Sequence, residues 1–232
     1  MSTCQDGSGQ GGMVVQPVRP TVLALLILCS GVFVLQMLVP PFQRFALGYL
    51  AMDTGDFLGR LRLWQAVTAI FLHADVSHIL MNMLFLYFFG SALEEAWRRR
   101  EFLTFFFVCG IAGSLCFYVF NRLLVSGSAK GLGASGAVFG LMAAYAMVYG
   151  NRIVLAFFIL PMKAKWFVAL CFAIELLALC GPVQDGIGHA AHVGGAVAGW
   201  AYLKLVWRRQ RRQAGPSGTR ASSKGRFDNL EY

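Results

Sequence analysis

The chain has 232 residues, 57% of them hydrophobic and only 13% charged, against about 25% charged in soluble domains, and its mean hydropathy is +0.61. That composition excludes an ordinary soluble globular domain and indicates a polytopic membrane protein built as one compact bundle. The formal net charge is +9, but the basic residues gather at the ends of apolar runs and in the C-terminal tail, a pattern of topology and lipid headgroup contact rather than of nucleic-acid binding.

Residues 1–20 are polar, rich in Gly, Gln and Ser, and expected to be disordered. No cleavable signal peptide is read here, because the first apolar run is too long for an h-region and no small-residue cleavage site follows it. That run, Thr21 to Val39, is the first predicted span, ended by Pro40-Pro41. Residues 40 to about 70 mix Arg44, Asp53, Asp56, Arg60 and Arg62 with Phe42, Phe45, Tyr49, Phe57 and Trp64, as a segment lying in the interface would. His78 to about Trp97 is the second span, closed by Arg98-Arg99-Arg100, and Phe102 to about Phe120 the third. A Gly/Ser loop, 121–132, leads to the fourth, 133–149. Asn151 to Lys165 is apolar but interrupted by Pro161, Lys163 and Lys165, and reads as a re-entrant or interfacial connection. The fifth span is Trp166 to Cys180, ended by Gly181-Pro182, and the sixth Ile187 to about Trp207. A basic tail, 208–232, is expected to be disordered. The fold class is thus an all-α membrane protein with a six-helix domain over 21–207. Cys29, Cys109, Cys116, Cys171 and Cys180 lie in or beside apolar runs without the spacing of a disulfide framework or zinc site, and read as small core residues.

Lys and Arg set the orientation. With the N-terminus cytoplasmic, fifteen of the 20 basic residues fall on inside segments and five (Arg44, Arg60, Arg62, Arg122, Lys130) outside. Both termini are therefore expected inside, and spans two, four and six run from outside to inside. Each carries polar residues near its outer start: His78 and Asn82, one turn apart; Ser135; His189 and His192. At 1.5 Å rise per residue all sit roughly 5–10 Å below the outer surface. Polar side chains at membrane depth are costly and mark functional cavities.

Gly131-Leu132-Gly133-Ala134-Ser135-Gly136 opens the fourth span. A serine between glycines there is either a close-packing residue or a nucleophile with amides near enough to hold an oxyanion. The converging polar residues favour the second reading. His192 is the candidate base. The glycines Gly194, Gly195 and Gly199 match Gly136 and Gly140 at small-residue spacing, which brings the sixth helix against the fourth. His78, Asn82 and the Ser135 amide are candidate oxyanion donors. No acidic third member is visible at this depth, so the reading is a Ser/His dyad. A zinc site on His189 and His192 is set aside for want of a converging carboxylate or thiol, and no metal or other cofactor is expected. Glu175, an acid inside the fifth span, reads as a cavity-facing or hydrogen-bonded structural group without an assigned role. The phenylalanines of spans two and three are expected in the core or facing lipid.

The sequence resembles the rhomboid family of intramembrane serine proteases. The resemblance is carried by His73-x4-His78-x3-Asn82, by Gly133-x-Ser135-Gly136, and by Ala191-His192-x-Gly194-Gly195-x3-Gly199, in that order, and runs from about Thr21 to Trp207 in the basic six-helix, bacterial-type form. It implies Ser135 as nucleophile, His192 as base, and His78 and Asn82 in the oxyanion hole. It also implies a structural role for Glu94 after Gly90. Substrates would be transmembrane segments of other proteins, admitted from the bilayer by displacement of the fifth helix and cut near the extracytoplasmic face. Two positions depart from the family pattern. Trp64-Gln65 stands where Trp-Arg is common, and Phe139 stands where a tyrosine often stacks on the histidine; Phe139 can stack but cannot donate a hydrogen bond. His73 is expected to hold the first loop or line the mouth of the site, and His189 to be a rim or structural residue. The rival readings are a client-binding protein without activity and a small transporter using the same cavity. A prokaryotic inner membrane is the expected location, and no nucleic-acid partner is expected.

Overall fold

The computed structural model describes residues 17–124, 128–156, 159–181 and 188–213. The segments expected to be disordered lie mostly outside these, as do residues 125–127 of the third connection and the Pro182 break. Helix α1 spans Pro20–Leu38 and α2 Pro40–Phe45, the latter running into a π-helical turn, Ala46–Leu50. A two-residue strand β1, Met52–Asp53, and a short α3, Gln65–Thr68, follow. Helix α4, Val76–Phe85, continues through a π-helical turn, Leu86–Gly90, into α5, Ser91–Ala96. Helix α6 is Arg99–Leu124, and β2, Lys130–Gly131, pairs antiparallel with β1. Helix α7 is Ser135–Tyr149, α8 is Ala164–Cys180 and α9 is His189–Gln213.

Three helical stretches, Pro20–Leu38, Val76–Ala96 and Arg99–Leu124, are long and apolar enough to cross a membrane. Helices α7 and α8, at 15 and 17 residues, fall short of the roughly 20 that a span needs. The outward faces of the bundle carry exposed Ile27, Leu38, Leu80, Leu123 and Leu177, as the lipid-facing surface of a membrane bundle does. Helix α9 runs past the predicted end of the sixth span, to Gln213. The connection read as re-entrant or interfacial contains a β-hairpin: β3, Ile153–Ala156, pairs with β4, Leu160–Lys163, Leu155 facing Pro161. Pro161 cannot continue a helix, and β-branched Ile153 and Val154 favour extended backbone.

Contacts advancing together along two chains fix the helix directions. Gly136 meets Gly195 and Gly140 meets Gly199, so α7 and α9 run parallel. Gly133 meets His78 and Tyr145 packs on Phe89 at 5.0 Å, so α4–α5 runs parallel to α7. Helix α6 runs the other way, with Cys116 against Gly194 and Phe105 near Gly199. The starts of α4, α7 and α9 therefore lie at one end of the bundle. The core between them holds Phe102, Phe105, Phe106, Leu93, Leu141 and Met142, all fully buried. Of the phenylalanines expected in the core or facing lipid, Phe89, Phe105 and Phe106 lie in the core and Phe88 faces outward. Cys29 and Cys109 are buried and free.

Glu94 closes the other end. Its carboxylate accepts the Thr21 and Val22 amides at 2.9 and 2.8 Å, capping from a neighbouring helix two N–H groups that the first turn of α1 cannot satisfy itself. This is the structural role the sequence implied. Glu94→Ala is expected to lower stability by about 2 kcal/mol, the scale of losing hydrogen bonds to a charged acceptor, read by thermal unfolding in detergent. In the first loop Gln65, wholly buried, takes the Asp53 amide at 3.2 Å and gives a hydrogen bond to the Tyr49 carbonyl at 3.4 Å. Arg62 supplies the loop's cation, 2.7 Å from the Gly48 carbonyl and 2.9 Å from Asp56.

Candidate active site

Helix α4 begins under the control of Asp75, whose carboxylate takes the His78 amide at 2.9 Å and the Ser77 hydroxyl at 2.6 Å. The Ser77 hydroxyl, then the His78 amide, hold the Asp75 carboxyl below its usual range. This cap sets the first turn and aims His78 inward. His78 Nδ1 faces the Ala74 amide at a long 3.5 Å, which assigns the ring proton to Nε2. That nitrogen points at Gly133: a Cβ there would lie 2.6 Å from His78 Nε2 and 3.6 Å from Asn82 Nδ2. The Asn82 amide nitrogen is buried without a hydrogen-bond partner among the described residues. Two donors thus converge on the chain two residues before Ser135. Gly133 itself has φ +121°, a conformation that favours glycine, and its amide is tied to the Ala69 carbonyl at 2.9 Å.

Ser135 is the first residue of α7 and half-buried. Its amide belongs to the first-turn N–H groups that have no acceptor within the helix. Phe139 stands one turn on, on the same face. The His192 ring stacks on Phe139 with centroids 4.5 Å apart and planes 7° from parallel. Close approach of the backbones makes this stack possible. A Cβ at Gly136 would be 3.2 Å from the Ala191 carbonyl, and one at Gly199 would be 2.8 Å from the Gly140 carbonyl. Gly194 faces α6 rather than α7, packing on Cys116.

His73 is buried, 5.2 Å edge-on to the His78 ring. Its backbone is clamped by the Gln36 side chain, which gives a hydrogen bond to its carbonyl at 3.3 Å and takes its amide at 3.2 Å. Of the two expected roles, holding the loop is the one this geometry supports. Burial, then the neighbouring His78, push the His73 imidazole down from its ordinary 6.5 to about 4. The unfolded chain therefore takes up this proton first. Stability from this group is complete above pH 6.5 and falls as pH drops towards 4, by up to about 3 kcal/mol. Unfolding titrations across that window, wild type against His73→Gln, are expected to show a shallower acid slope in the variant.

The statement that no acid reaches this depth does not survive. Glu175 Oε2 takes a hydrogen bond from His189 Nδ1 at 2.6 Å and lies 2.9 Å from His192 Nδ1. The carboxylate whose absence at this depth argues against zinc in the sequence is present in the structure: ligand atoms of Glu175, His189 and His192 lie within 4.8 Å of one another. A signal was available in the sequence. Glu175 stands five residues before the end of α8 and His192 three after the start of α9, so helices joined by a short connection bring them to similar depth.

The Rhomboid domain family matches residues 60–209. RHOMBOID-like protein 12, mitochondrial, of Arabidopsis thaliana is 27% identical over 207 residues, covering 84% of this chain and 59% of that protein. Rhomboid protease AarA of Providencia stuartii is 27% identical over 160 residues, covering 63% of this chain and 54% of that protein. For Rhomboid protease GluP of Bacillus subtilis the figures are 28% over 138 residues, 59% and 25%. The chain thus spans less than two thirds of the length of these curated relatives. Mitochondrial and bacterial proteins stand side by side among them, so the expected prokaryotic inner membrane gains no support, while a membrane protein does. With a family match over more than half its length, on helices whose apolar faces point outward, the chain belongs to the rhomboid family.

Proposed function

We propose that this protein is an intramembrane serine endopeptidase. It is read as crossing the bilayer six times, by α1, α4–α5, α6, α7, α8 and α9, with both termini cytoplasmic as the Lys/Arg bias indicates. The observation that carries the proposal is the meeting of three helix starts: Ser135 on α7, His192 stacked one turn away on Phe139, and His78 and Asn82 aimed at Gly133. A serine, a base and converging donors at one depth are what acyl transfer requires. Ser135 Oγ attacks the scissile carbonyl, forming the Oγ–C bond, and its proton passes to His192. The oxyanion is held by Asn82 Nδ2, His78 Nε2 and the Ser135 amide. His192 returns the proton to the leaving amine, and water then releases the acyl group. The scissile segment must leave its helical form first, because its amide is otherwise enclosed by helix hydrogen bonds. Substrates are transmembrane segments of other proteins, cut near the extracytoplasmic face.

The test is cleavage of a model transmembrane substrate in liposomes, with labelling by a serine-directed fluorophosphonate. Wild type is expected to cleave and to label at Ser135, and Ser135→Ala and His192→Ala to do neither. A client-binding protein or transporter would not label. Cleavage that survives Ser135→Ala would overturn the proposal.

A further inference from the structure

The mechanism above leaves Glu175 without a task. This acid lies on α8, whose other residues from Trp166 on are all apolar, 13% exposed, facing two histidines of α9 that lie three residues apart. An acid at membrane depth is costly and needs a compensating role. Both histidines present the same nitrogen, Nδ1, to the same oxygen, at 2.6 and 2.9 Å. An ionised carboxylate only accepts, so each neutral ring facing it carries its proton on Nδ1. The His189 bond is aligned. The His192 contact is close but off the N–H axis, and His192 Nδ1 is buried with no other partner among the described residues. These separations are hydrogen-bond distances, shorter than the roughly 3.3 Å between ligands around a tetrahedral zinc ion, which favours a proton-linked cluster over a metal centre.

The consequence for His192 is specific. With Nδ1–H directed at Glu175, its lone pair is on Nε2, the nitrogen on the far side of the ring from α8. The positive charge that forms when Ser135 loses its proton then faces a carboxylate. We propose that Glu175 is a positioning residue of the protease site, fixing the His192 tautomer and stabilising its protonated form, so that the site works as Ser135–His192–Glu175 rather than as a dyad. Glu175 itself stays ionised throughout; the proton moves only between Ser135 Oγ, His192 Nε2 and the leaving amine. His189 holds the same carboxylate oxygen through its own Nδ1. This inference rests on the proposed protease reading.

Two measurements on the full chain in detergent test it. In steady-state cleavage of a transmembrane substrate, Glu175→Gln is expected to lower kcat on the order of 10²-fold with KM within about twofold, and Glu175→Asp to recover part of the loss. A purely structural acid would not produce that division between kcat and KM. A Glu175→Gln kcat within twofold of wild type, beside an inactive Ser135→Ala, would overturn the inference and leave the protease reading standing. Activity surviving in Ser135→Ala would instead overturn the protease reading. The second measurement needs neither substrate nor a folded Glu175 variant: nitrogen-15 NMR of the wild type with labelled histidine, His192 being assigned by its loss in His192→Asn. The Nδ1–H form of the neutral ring is expected, and the Nε2–H form would overturn the inference.

Discussion

Ser135→Ala and His192→Ala are each expected to reduce turnover by a factor on the order of 10⁴ to 10⁶, with KM little changed. The Ser135 substitution removes one oxygen from a half-buried position at the start of α7 and leaves the helix crossing intact. The lost step is therefore formation of the acyl bond rather than binding or folding. His192→Ala removes the acceptor for the hydroxyl proton, and also the ring stacked on Phe139 and the partner of a partly buried carboxylate. It should cost stability as well as turnover, so its kinetics are to be read beside an unfolding curve. Because the two groups act in one step, the double variant should be no slower than either single one. The residual rate then measures what the Asn82 and His78 donors supply alone. A double variant slowed by the product of the two factors would mean that serine and histidine act in separate steps.

Much of this arrangement was legible in the sequence because the chemistry sits where the polarity is anomalous. In an apolar chain, His78, Asn82, Ser135, His189 and His192 stand out individually, and the parallel course of three spans brings their helix starts together. The structure runs those helices parallel, and the helix glycines place Gly136 against Gly195 as the spacing suggested. What stayed hidden has physical reasons. The hairpin 153–163 was obscured because a short run of apolar residues is compatible with strand, re-entrant loop or interface alike. The part of α6 in the crossing was missed because Gly113, which admits the Ala191 carbonyl and Gly136, lacks the paired spacing seen in α7 and α9. Gln65 gave no hint that two backbone hydrogen bonds would take up the space of a larger cation. Glu175 was visible but unpartnered on paper, since its partners depend on how closely α8 lies against α9. That distance is set by side-chain packing, which no periodicity encodes.

The helix crossing itself yields the second large effect. Gly195→Val is expected to destabilise the bundle by about 3 kcal/mol or more and to abolish cleavage. A Cβ at Gly195 would overlap the Gly136 carbonyl, with the Gly136 Cα 2.9 Å away. Both obstacles are backbone, so no rotamer change relieves them. The only relief is to separate α7 from α9, and that separation pulls His192 off Phe139 and away from Ser135. Fold and chemistry are lost together because the same contact serves both. Gly195→Ala should fail in the same direction, since the first carbon already meets the carbonyl. Gly31 in α1 is the control: nothing lies within 4 Å of a Cβ built there. Gly31→Ala removes backbone freedom from the unfolded chain at no steric cost, so it should stabilise by about 0.5–1 kcal/mol and leave cleavage unchanged. Unfolding curves and cleavage rates for the three variants separate the two mechanisms. If Gly195→Ala were as stable as wild type, the close approach of α7 and α9 would have to be relinquished, and with it the geometry that joins the serine to its base.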